Sequence, residues 1–90
     1  MDGLSLIVLA DTLDRITELA KPEDSSGMLD CVTAVRGYTE LCAIDPTNSG
    51  YPQKLRAAVT DLARIVEDKR QFFLASRLAM IKEMIPALRS

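Results

Sequence analysis

Leu55-Arg56-Ala57-Ala58-Val59-Thr60-Asp61-Leu62-Ala63-Arg64-Ile65-Val66 decides the fold class. Leu55, Ala58, Val59, Leu62, Ile65 and Val66 recur at steps of three and four, which draws one apolar stripe along a helix of 3.6 residues per turn. Arg56, Thr60, Arg64 and Glu67 take the opposite side. A strand would need strict alternation, and none is present. The helix is predicted to begin near Pro52, where the fixed φ of proline suits a first turn whose N–H has no intrahelical partner.

Toward the C-terminus the pattern shifts. Continued past Val66, the stripe lands on Lys69, and the apolar arc reappears rotated by roughly 80° at Leu74, Leu78, Ile81, Ile85 and Leu88. Two arrangements answer this: a turn or kink at Asp68–Gln71 that separates a fourth helix, or one long helix that changes neighbours there. Neither Gly nor Pro marks the spot.

Toward the N-terminus, turn chemistry cuts the chain twice, at Lys21-Pro22-Glu23-Asp24-Ser25-Ser26-Gly27 and at Asp45-Pro46-Thr47-Asn48-Ser49-Gly50-Tyr51-Pro52. Between them a helix is predicted from about Ser26 to Ile44. Met28, Cys31, Val35, Tyr38 and Cys42 share its stripe, Val32 and Leu41 widen it, and Ser25 or Ser26 serves as N-cap. Gly37 falls on its polar side, either costing about 1 kcal/mol relative to Ala or marking a close helix approach. Before the first cut, Ser5 to Ala20 carries Leu6, Leu9, Leu13, Ile16 and Ala20 on one side, with Asp11, Asp14 and Glu18 on the other. Pro22 stops this helix. The reading is an all-α single domain over residues 1–90: a small antiparallel, up-and-down bundle of four helices, or of three with a long kinked last helix.

Composition narrows the function. With 48% apolar and 27% charged residues the chain is ordinary globular material, and at 90 residues its core is thin enough for a partner to matter to stability. There is no His, hence no imidazole base or zinc ligand. Gly3, Gly27, Gly37 and Gly50 are isolated, so no glycine-rich loop cradles a phosphate. The acids of the first helix read as a solvated face. No enzyme, cofactor or metal is expected. Cys31 and Cys42 stand about 16 Å apart on one helix and cannot bridge; they read as reduced, buried, core-filling thiols of a cytoplasmic protein. The run Leu4–Ala10 lacks a basic flank and is followed by Asp11, so neither a leader nor a membrane span is expected.

Charge is uneven. Residues 1–50 hold nine acids against three bases and residues 51–90 eight bases against four acids, within a net −2. An acidic hairpin packing on a basic one accounts for this. A nucleic-acid binder using Lys54, Arg56, Arg64, Lys69, Arg70 and Arg77 is the alternative from another class, but Asp61, Glu67, Asp68 and Glu83 interrupt those bases.

Ala34-x3-Tyr38, then Ala43-Ile44-Asp45-Pro46-Thr47-Asn48 and Leu55, is similar to the junction between tetratricopeptide repeats, over some 40 residues at most. The pattern departs where a small residue should precede Phe72, because Asp68 stands there, and again at Pro22. Asp-Pro-x-Asn is also good helix-stop chemistry in its own right.

The residue that points to a function is Arg77. Its helical neighbours Phe73, Leu74, Met80 and Ile81 are all apolar, and Met84 extends the strip. Three readings compete: Arg77 sits at the core's edge and pairs with an acid of the first helix; the arc is an exposed binding face anchored by Arg77; or the chain breaks nearby. Phe72 points about 100° away from Phe73, so one narrow core stripe does not hold both. The expectation is a cytoplasmic protein–protein interaction module, an adaptor, chaperone-like or regulatory protein. It would use Arg70, Phe72, Phe73, Arg77, Met80 and Met84 against another protein or a second copy. A subunit of a helical secretion or phage assembly is a further alternative, suggested by size and helicity alone.

Overall fold

A computed structural model describes residues 3–20, 27–48 and 50–85. Four helices follow one another: α1 Gly3–Ala20, α2 Met28–Ile44, α3 Gly50–Asp68 and α4 Phe72–Met84. α1 packs on α2, α2 on α3 and α3 on α4, and α4 returns to α1, so the four close a ring. The short connections make consecutive helices antiparallel. The longest, α3, spans about 28 Å within a bundle 38 Å long and about 20 Å across.

The core is the filled centre of that ring. α1 gives Leu9, Leu13, Ile16 and Ala20; α2 gives Met28, Val32 and Val35; α3 gives Leu55, Ala58, Val59, Leu62 and Val66. α4 adds Leu74, Leu78 and Ile81, and Ile85 follows just beyond its end. Thr12 is buried among them, its hydroxyl donating to the Val8 carbonyl at 2.7 Å, so its polar atom is not stranded.

The chain turns between α3 and α4, which excludes the long kinked third helix. The Gln71 N–H donates to the Val66 carbonyl and the Arg70 N–H to the Glu67 carbonyl, both at 2.9 Å. This is the Schellman arrangement, whose left-handed residue is usually Gly. Here Arg70 takes that position at φ 62°. An arginine in the left-handed region is strained by about 1 kcal/mol, and that is why no glycine announced the turn.

Several expectations are corrected. α2 is capped by Gly27 in the left-handed region with no side-chain hydrogen bond; Ser25 and Ser26 lie outside the described residues, as does Leu88. Leu6, at the end of the α1 stripe, is exposed. Cys31, Tyr38 and Cys42 are half-buried around the core while Val32 and Val35 occupy its centre, so the α2 stripe is turned toward Val32. Gly37 makes no close helix approach: a Cβ there would meet nothing within 4 Å. α3 begins at Gly50, two residues before Pro52, with the Gly50 N–H donating to Asn48 Oδ1 at 2.9 Å.

Candidate functional site

α4 turns Leu74, Leu78 and Ile81 inward, as does Ile85 just beyond its end, and Ala75 packs half-buried at the core's margin, whereas Phe72, Phe73, Ala79 and Met80 are left in solvent. Phe72 is 60% exposed, Phe73 64% and Met80 47%. At 100° per residue Phe72 sits nearly opposite the core stripe. Phe73, Arg77 and Met80 lie on the flank that faces α1. Ser76 and Ala79, both exposed, lie between Phe72 and Met80 along the outer face. Met84 ends the helix; its side chain lies outside the described residues.

Arg77 ties this flank to α1. Its Nη1 donates to Asp11 Oδ2 at 2.9 Å, and its guanidinium carbon stands 4.8 Å from the centroid of the Phe73 ring. Arg15 Nε donates to the same Asp11 oxygen at 3.1 Å. The Arg15 hydrogen bond, and after it that of Arg77, hold the Asp11 carboxyl below its ordinary pKa, outweighing the opposing effect of desolvation. The half-buried Arg77 thus occupies the core-edge position, paired with an acid of the first helix, while its aromatic and methionine neighbours face outward. Beside it a shallow groove between α1 and α4 is lined by Arg15, Glu18, Leu19, Gln71, Phe73 and Leu74.

Of the six residues singled out from sequence, the structure brings Phe73 and Arg77 into contact. Phe72 and Met80 lie on the same exposed side of α4. Arg70 stands apart in the α3–α4 turn, exposed. Sequence reasoning missed Leu19 and Ile7 of α1, both large and exposed. Their signal was available: each falls off the Leu9–Leu13–Ile16 stripe. No family model matches this chain, and neither a curated protein nor a solved structure does.

Lys54, Arg64 and Arg77 lie in different places. Lys54 lines the α2–α3 groove beside Asp30 and Asp61, whereas Arg64 lines the α3–α4 groove with Glu67, Asp68 and Lys82. Arg77 is engaged by Asp11. On α1, Asp14 accepts from Arg36 at 2.7 Å. Among the described residues no group of three or more acids or cysteines is arranged to hold a metal ion, and no helix is long and apolar enough to cross a membrane. Neither cysteine is disulfide-bonded, and burial pushes the Cys42 thiol up, away from the reactive thiolate.

Proposed function

We propose that this chain is a protein–protein interaction module of the cytoplasm whose working surface is the outer face of α4. The observation that supports it is the exposure of Phe72, Phe73 and Met80 on one helix of 13 residues. Large apolar side chains scattered singly on a surface are ordinary; two adjacent aromatics with a methionine two turns along make a patch. Aromatic rings anchor interfaces at low entropic cost, and methionine adapts to varied partners. Asp11 neutralises Arg77, so the charge at the flank does not oppose an apolar partner. Two thiols without a disulfide suit a reducing compartment. The scatter of Lys54, Arg64 and Arg77 over different sides gives no comparable support to a phosphate-binding face.

A photo-reactive phenylalanine analogue at position 72, activated in the producing cells, tests this. A discrete covalent adduct is expected at 72 and not with the same analogue at the exposed position Gln53 on α3. Absence of any adduct at 72, with the chain folded, overturns the reading.

A further inference from the structure

We infer that the partner of this face is a second copy of the same chain, its α4 packed antiparallel on the first across a two-fold axis at Ser76. The inference rests on the interaction-module reading above and specifies its occupant.

The argument comes from the order of large and small residues on the exposed face. Reading outward positions along α4 gives Phe72 and Phe73, then Ser76, then Ala79 and Met80. A two-fold axis lying in the interface and perpendicular to the helix turns each position to its mirror position along the helix while keeping it on the same flank. Centred at Ser76, that operation brings Phe73 of one copy against Met80 of the other on the α1 flank. On the opposite flank it brings Phe72 over Ala79. Ser76 meets its own copy at the centre, where two small side chains let the helix backbones approach. Every large residue thus meets a smaller or more flexible one, and no two phenylalanines collide. Sulfur against the edge of an aromatic ring is a favourable contact, and Phe73 is exposed enough to make it.

Charge fits the same arrangement. The flank next to α1 carries Asp11 and Glu18 against Arg15 and Arg77, so two such flanks meet without net repulsion. Glu83, exposed near the end of α4, is carried to opposite ends of an antiparallel pair, about 21 Å from its copy. A parallel pair would set the two side by side.

Area sets the strength. At their observed exposures the two rings present about 250 Å², and Met80 with Leu19 of the adjoining groove raises the apolar total to about 400 Å². A standard interface buries about 800 Å² per partner, a figure this face reaches only with its polar rim. The dimer is therefore a weak one, formed by mass action as concentration rises.

Light scattering after gel filtration, on the whole chain from about 10 μM to about 1 mM, reads the outcome. The mass should climb from 9.9 kDa toward twice that value, with little response to salt. Ser76→Glu, harmless on an exposed helix, sets two carboxylates on the axis and should hold the chain at monomer mass. Ser76→Ala should leave the dimer intact. A monomer at every concentration, or a Ser76→Glu chain that still dimerises, overturns the proposal. The adduct formed at position 72 separates this failure from that of the parent reading. An adduct of twice the chain mass supports the second copy, an adduct of another mass overturns it while leaving an interaction module, and no adduct overturns both.

Discussion

Gly37→Ala should stabilise this protein by about 1 kcal/mol, and the structure says why the whole helical gain should be realised. Gly37 lies in the interior of α2, where glycine is less favourable than alanine by about 0.8–1.0 kcal/mol because it surrenders more backbone freedom on folding. Such a substitution fails when the new methyl group strikes a neighbour or when the native φ is positive. Here neither condition holds: Gly27 is the glycine with a positive φ, and around Gly37 nothing beyond the local backbone of α2 lies within 4 Å of the added Cβ. The methyl group also gains no contact, so helix propensity alone sets the sign and size. For a domain of this length about 1 kcal/mol raises the Tm by roughly 4–8 °C, readable by circular dichroism in a thermal scan. An unchanged or lowered Tm, with helicity preserved, would refute the reasoning, because the backbone conformation or the open space at Gly37 would then not be what the structure shows.

Arg70→Gly should stabilise the chain by about 0.5–1 kcal/mol, since the left-handed C-cap of α3 costs glycine nothing, although the more flexible unfolded chain offsets part of the gain; a lower urea midpoint would sink the idea. Leu62→Ala removes a side chain with no solvent exposure and should cost about 2–5 kcal/mol. A domain of this size holds only about 5–13 kcal/mol in all, so the urea midpoint should fall steeply, and a small shift would mean the core is looser than its burial indicates. Asp11, whose carboxyl is held below its ordinary pKa by Arg15 and Arg77, contributes stability that is present above the unfolded value and lost as pH falls through the folded one. NMR titration of its carboxyl carbon should show a midpoint below 3.8 that moves back up in Arg77→Ala; a midpoint unmoved by that substitution would mean the ion pair does not persist in solution.

How far the sequence revealed this fold differs by helix, and the reason is where each helix's apolar residues sit. α3 is apolar on one arc only, with Arg56, Thr60, Arg64 and Glu67 opposite, so its periodicity names the buried residues almost without error; Ile65 alone is half-buried. α2 carries apolar residues over much of its circumference. Cys31, Val32, Val35, Tyr38, Leu41 and Cys42 admit more than one centre, and packing between α1 and α3 selected the side of Val32. Thr12 escaped notice because a hydroxyl reads as polar, yet its spacing from Leu9 and Ile16 placed it on the core side, and a bond to its own helix's carbonyl makes its burial inexpensive. The break after α3 was legible as a rotated stripe, but the residue that makes the turn was not, because an arginine stands where turn chemistry leads one to look for glycine.

The same contrast carries the functional argument. α3 and α4 do equivalent work in the bundle, each lending one arc to the core, so their outward arcs can be compared as if one were the control for the other. α3 spends its outward positions on Lys54, Asp61, Arg64 and Glu67, as a solvated helix does. α4, shorter by six residues, sets Phe72, Phe73 and Met80 outside and needs an ion pair to an adjacent helix to accommodate Arg77 among them. Core packing does not require those three side chains, since Leu74, Leu78, Ile81 and Ile85 already complete the ring's fourth side. Replacing Phe72, Phe73 and Met80 by the polar residues α3 uses should therefore leave the bundle's stability nearly unchanged while removing the association proposed for this face. Equal losses of both would place these side chains in the fold rather than in its use.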